Sequence, residues 1–99
     1  MRPIHLARLD KTRPVLVLTR ELVRPHLGRV TVAPITGTIR GLSTEVPVGP
    51  ANGIDEASVV SCDNIVTVPA GALGRQLGFL FADQEPGLTA AIHAAFDLE

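Results

Sequence analysis

The chain has 99 residues, with nine Lys or Arg against ten Asp or Glu and 45% hydrophobic residues. One domain fits in that length and a two-domain enzyme does not, while the apolar content together with 19% charged residues is enough for a core and excludes disorder. No apolar run approaches the roughly 20 residues of a membrane span, and the opening Met1-Arg2-Pro3-Ile4-His5 lacks the apolar stretch of a secretion signal, so a soluble intracellular protein is expected. Cys62, as the single cysteine, has no partner for an internal disulfide, and His5, His26 and His93 are scattered. No metal-site spacing results, and neither metal nor cofactor is expected.

In chain order, Ile4, Leu6 and Leu9 with polar neighbours predict a first strand, and Pro14–Thr19 is a short apolar run of the kind covered on both faces, with its proline at the strand start. Arg20–Gly28 reads as a turn-rich connection with a helical turn near Glu21-Leu22-Val23. A further strand spans Arg29–Ile35, and Thr36–Gly41 is a flexible, polar, basic loop. Leu42–Val48 alternates as another strand, Gly49–Gly53 is a turn, and Ser58–Cys62 and Ile65–Val68 form a broken or bulged pair around Asp63-Asn64, stopped by Pro69. Ala72–Leu77 predicts a short helix and Gly78–Phe81 a short strand. Asp83 is the expected cap of a three-turn helix near residues 85 to 97, with Leu88, Ile92, Ala95 and Phe96 on its apolar stripe. Many short strands followed by one helix predict a mostly β, α+β protein, a small and strongly bent sheet or partial barrel with the helix packed on it.

Charge is segregated along the chain. Residues 1–50 carry eight basic groups against three acidic ones, a net +5, and residues 51–99 carry one against seven, a net −6. Seven of those eight are arginines, whose planar fork suits bidentate phosphate contacts, so the first half is where a polyanion would bind; solvation of strand edges is the alternative reading.

Three strings stand out in order: Arg13-Pro14-Val15-Leu16-Val17-Leu18-Thr19, then Val32-Ala33-Pro34-Ile35-Thr36 followed by Leu42-Ser43-Thr44-Glu45-Val46, then Ser58-Val59-Val60-Ser61-Cys62-Asp63-Asn64-Ile65. With the C-terminal helix they resemble the MazF/PemK family of toxin endoribonucleases from type II toxin–antitoxin modules, over nearly the whole chain. The resemblance implies one domain with an SH3-like barrel related to the CcdB fold, a homodimer in the cytoplasm, and sequence-selective cleavage of single-stranded RNA without a metal, inhibiting translation and growth. It also implies a cognate antitoxin whose tail occupies the RNA groove.

Arg13 and Thr36 match the family's catalytic pair, and their chemistry is intelligible. RNA brings its own nucleophile, the 2′-OH, whose attack leaves a 2′,3′-cyclic phosphate and a 5′-OH. A guanidinium on a strand can stabilise the charge that builds on the phosphorane. A group with a pKa above about 12 is a poor base, so Arg13 is read as an electrostatic clamp, while the Thr36 hydroxyl can donate to a phosphate oxygen and accept from the 2′-OH. Expected RNA contacts are Lys11, Thr12, Arg20, Thr38, Arg40 and Asn64, the last being either a base reader or a strand-bend residue. His26, in a basic turn, can touch phosphate; His93 reads as a surface or dimer-contact residue, and Cys62 and the three phenylalanines as core.

The chain departs from the family pattern in two places. Only Asp10-Lys11-Thr12 separates Leu9 from Arg13 where many members carry a long loop over bound RNA, and Val66 stands where many carry arginine. The readings in other classes are a CcdB-like protein that binds gyrase without catalysis and a non-enzymatic β-barrel interaction module.

Overall fold

The computed structural model describes residues 1–20 and 28–98. The helical turn expected at Glu21-Leu22-Val23, and His26, lie outside the described residues. Among the described residues, seven strands precede one α-helix: β1 Arg2–Arg8, β2 Thr12–Val17, β3 Arg29–Thr36, β4 Glu45–Val48, β5 Ser58–Ser61, β6 Val66–Pro69, β7 Leu73–Leu80 and α1 Glu85–Ala95. They form one antiparallel sheet in the order β4-β5-β3-β2-β1-β7, with β6 also paired to β3. This is the expected bent sheet with a C-terminal helix, curled into a half-barrel.

Two prolines decide where the sheet bends. β2 and β3 pair from Val17 with Val32 to Val15 with Pro34. Pro14 has no N–H to extend that ladder toward β3, so β2 keeps only β1 as its partner there, through Leu6 opposite Pro14. Pro14 therefore sits inside β2, two residues after its start at Thr12, and not at the strand's beginning. Freed of β2, the end of β3 turns to β5, with Ile35 opposite Val60 and Thr36 opposite Val59. The pair expected around Asp63-Asn64 does not pair internally. β5 and β6 both run along β3, separated by a single 3₁₀ turn at Cys62–Asn64.

Side-chain alternation along β2 feeds two cores. Leu16 enters one with Ile4, Ile35, Val60, Leu80 and Leu88, against which α1 packs; Val15 and Val17 enter another with Ala7, Val30, Val32 and Val68. That is why the β2 run is apolar at consecutive positions. On α1 the buried residues are Leu88 and Ala91, backed by Ile92 and Ala95, whereas Phe96 is 55% exposed and Phe79 on β7 is 38% exposed, so neither aromatic is core.

Three expected elements differ. Ala72–Leu77 is not a helix: Leu73–Leu80 is one strand on the edge of β1, where pairing with two register shifts outweighs the local helical propensity. Leu42–Thr44 precede β4 as a turn, with Glu45 N–H donating to the Leu42 carbonyl. Asp83 does not cap the helix; the Gln84 side chain accepts from Phe81 N–H at 2.8 Å instead, within a 3₁₀ turn at Ala82–Gln84.

Edges β4 and β7 do not pair with one another among the described residues; the segment after β4 links them. Asn52, 2% exposed, donates from Nδ2 to the Phe79 carbonyl at 2.9 Å and to Gln84 Oε1 at 2.8 Å, while Oδ1 accepts from Gly49 N–H. Gly53, at φ +87°, and Gly78 let the two backbones touch, since a Cβ on either would overlap the opposite main chain.

Cys62 lies in the first core, and burial, with a smaller contribution from Asp63, raises its pKa above the ordinary thiol value. The folded chain therefore binds the thiol proton more tightly than the unfolded chain. Its contribution to stability is complete below the unfolded thiol pKa and falls as pH rises past about 8.5 toward the raised folded value. Native protein at pH 8 is expected to resist thiol-reactive dyes and to react fully once denatured; rapid labelling of native protein would show an accessible thiolate.

Candidate active site

The divergence of β2 and β3 builds the site. Continued two residues beyond its last pair, the β2–β3 register sets Arg13 opposite Thr36. Opposed residues of antiparallel strands share a face. Both side chains accordingly line one cleft of about 420 Å³, together with Thr38, Arg40 and Asn64. Five of the eight residues proposed from sequence thus come together.

The other three stand elsewhere. Thr12 alternates with Arg13 on β2 and borders a separate cavity beside Arg8 and Arg75. Lys11 is exposed in the β1–β2 turn, where its carbonyl accepts from Leu9 N–H. Arg20, beyond the opposite end of β2, is on the order of 20 Å from Arg13 along the strand and sits beside Arg2 and Glu85. Arg2 is itself committed: its Nε bonds Glu85 and its Nη1 donates to the Leu18 carbonyl, tying the start of α1 to the end of β2.

Arg13 is held by Asp10, whose two carboxylate oxygens each lie 3.1 Å from Nη2. The aspartate is 74% exposed and the arginine side chain 25%, so this ion pair is weak and solvent-screened. The Arg13 Nε is buried and has no hydrogen-bond partner among the described residues. A buried N–H without an acceptor is costly, and what Arg13 presents to the cleft is the part of its side chain that stays exposed, one quarter of it.

Thr36 is set by the loop that follows it. Thr38 N–H donates to Thr36 Oγ1 at 3.1 Å, a short-range hydroxyl turn. With one lone pair used, the hydroxyl retains its proton for donation and one further acceptor position. The loop expected to be flexible is tied at its far end, where the Glu45 side chain accepts hydrogen bonds from the backbone N–H groups of Arg40, Gly41 and Leu42. Asn64 donates to Ser61 Oγ at 2.8 Å, and Thr44 Oγ1 donates to Asp63 at 2.6 Å.

Glu45, Ser61 and Asp63 line the cleft and were missed from sequence. For Glu45 the one available signal was the Gly41 turn four residues earlier, which says nothing about a carboxylate folding back onto it. Among the described residues neither histidine reaches the cleft: His5 Nδ1 contacts the Gly74 carbonyl at 2.9 Å, and His93 is exposed on α1.

Residues 4–96 match the model of the PemK-like, MazF-like toxins of type II toxin–antitoxin systems. The chain belongs to that family. It is 67% identical over its whole length to endoribonuclease MazF3 of Mycobacterium tuberculosis, covering 96% of that protein. It is 38% identical over 86 residues to the probable endoribonuclease MazF5 of the same species, covering 79% of it. Its fold superposes on the solved Mycobacterium tuberculosis toxin MazF-mt6 with a TM-score of 0.97 at 66% identity, covering 99% of each chain. Membership of this toxin family displaces the gyrase-binding and non-enzymatic readings. No helix among the described residues is long and apolar enough to cross a membrane.

Proposed function

We propose that this chain is a cytoplasmic toxin endoribonuclease that cleaves single-stranded RNA at the Arg13–Thr36 cleft, works as a homodimer and is neutralised by a cognate antitoxin. The observation that carries the reading is the convergence of Arg13, Thr36, Thr38, Arg40 and Asn64 on one cleft in a toxin chain 67% identical to an endoribonuclease. In the proposed reaction the 2′-oxygen bonds to phosphorus as the bond to the 5′-oxygen breaks. The 2′-OH proton is lost and the departing oxygen takes one up.

Two groups divide the work. The Arg13 guanidinium, one-quarter exposed at the cleft, meets the non-bridging oxygen on which charge builds, and the Thr36 hydroxyl, oriented by Thr38, holds the phosphate in line with the attacking oxygen. Arg40 and Thr38 contact flanking phosphates, and Asn64 a base edge. Lys11, Thr12 and Arg20, outside the cleft, are assigned to the outer path of a longer strand. Pairing two basic halves around a dimer groove would strengthen attraction for a polyanion, and an acidic antitoxin tail would compete for the same surface.

Purified protein incubated with a mixed single-stranded RNA in EDTA is expected to give fragments with 2′,3′-cyclic phosphate and 5′-OH ends. A 2′-deoxy substitution at the scissile nucleotide is expected to abolish the cut. Affinity for an uncleavable deoxy-substituted strand should fall by at least about tenfold between 50 and 200 mM salt. Loss of activity in EDTA rejects metal independence, and cleavage that survives the deoxy substitution rejects the 2′-OH mechanism.

A further inference from the structure

The cleft contains a carboxylate where phosphate is meant to bind, and its bonding explains why. Glu45 opens β4, and its Oε1 accepts from three consecutive backbone N–H groups, those of Arg40 at 3.2 Å, Gly41 at 2.8 Å and Leu42 at 3.1 Å. Three N–H groups converging on one oxygen make an anion nest, and the curvature that permits it is supplied by Gly41 in the left-handed region at φ +74°. Glu45 is thus the internal anion of a nest formed by the loop's far end. At the loop's near end Thr38 N–H fixes Thr36 Oγ1, so the segment joining Thr36 to β4 is tied at both ends and its length leaves little slack.

We propose that Glu45 is a positioning residue of the cleavage reaction, acting through the 36–42 loop to aim the Thr36 hydroxyl and to hold Arg40 at the cleft. The inference rests on the ribonuclease reading above. It predicts a sign opposite to simple electrostatics. If Glu45 were only a negative charge repelling RNA, its removal would tighten RNA binding and raise the rate. As a clamp, its removal frees the loop and lowers the rate even though the cleft becomes more positive.

The test is single-turnover cleavage by wild type, Glu45→Ala, Glu45→Gln, Thr36→Val and the Glu45→Ala/Thr36→Val double variant, with amide hydrogen exchange of residues 38–42 measured without RNA. Glu45→Ala is expected to exchange faster at Arg40, Gly41 and Leu42 and to cleave at least about tenfold more slowly, chiefly through kcat. Glu45→Gln, which keeps one acceptor oxygen, is expected to recover part of both losses. In the Thr36→Val background the Glu45→Ala change is expected to cost less than about threefold, since residues acting through one another are non-additive.

Equal or faster cleavage by Glu45→Ala, or an undiminished loss in the Thr36→Val background, overturns the proposal. Unchanged exchange at residues 40–42 does the same. A wild-type protein that cuts no RNA would instead reject the ribonuclease reading, while the exchange result would still report whether Glu45 holds the loop.

Discussion

Arg13→Ala is expected to cleave RNA at least about a hundredfold more slowly than wild type, corresponding to roughly 2.7 kcal/mol of lost transition-state stabilisation. Arg13→Lys is expected to recover only part of that loss, because an ammonium keeps the charge but not the planar fork that suits bidentate phosphate contacts. Thermal unfolding separates this from misfolding. Arg13 contributes an exposed ion pair to Asp10 and a buried donor with no partner. Its removal should leave Tm within a few degrees of wild type or raise it, because the unmet donor goes with it. Thr36→Val, which keeps the side-chain shape and deletes the hydroxyl, is expected to lose a comparable factor, and the Arg13→Ala/Thr36→Val double variant to be little worse than the poorer single. Near-wild-type rates in both single variants would remove the site.

The largest stability effect is expected far from the chemistry. Asn52→Leu deletes the side chain that joins the segment after β4 to β7 and α1, leaving the Gly49 N–H, the Phe79 carbonyl and the Gln84 amide without their partner. At a site only 2% exposed, orphaning several polar groups costs about 3 kcal/mol or more, a large share of the 5 to 15 kcal/mol typical of a domain. Near 100 residues this corresponds to a Tm lower by about 12 to 20 °C. Gln84→Ala is expected to cost less alone and little more when combined with Asn52→Leu, since both belong to one network. A Tm change under about 4 °C for Asn52→Leu would mean that other contacts hold the edges of the half-barrel together.

The candidate pair was legible through the three motifs that resemble the family, and the structure brings its two members together because they lie on adjacent strands. Arg13 and Thr36 flank Pro-containing apolar runs, and the prolines that interrupt the ladder mark where β2 and β3 part. Thr38 and Arg40 followed from the loop's composition, yet the loop's tie to β4 did not. That depends on Glu45 folding back, and nothing in a one-dimensional pattern says which carboxylate fills a nest. Thr12 was expected among the RNA contacts, but it adjoins Arg13 on β2, and successive residues of a strand point to opposite faces. The strand expected from Gly78 is present, but Leu73–Leu77 was expected as a helix because its glycine and polar residues carry no strand period; they take strand geometry from the edge of β1 and from the backbone approach at Gly53 and Gly78.

What the residue order determined by itself was local: short strands with turn chemistry between them, an amphipathic helix at the end and a basic first half, while Arg13 and Thr36 were singled out only by resemblance to the family. The local features follow from side-chain periodicity, backbone-restricting residues and charge, all short-range properties. Only the tertiary structure decided that β5 and β6 share β3, that Asn52 joins the two open edges, and that Glu45 accepts from the backbone of residues 40–42. Those outcomes depend on unmet hydrogen-bonding groups finding partners far along the chain, and which groups are left unmet is settled only once the sheet has curled.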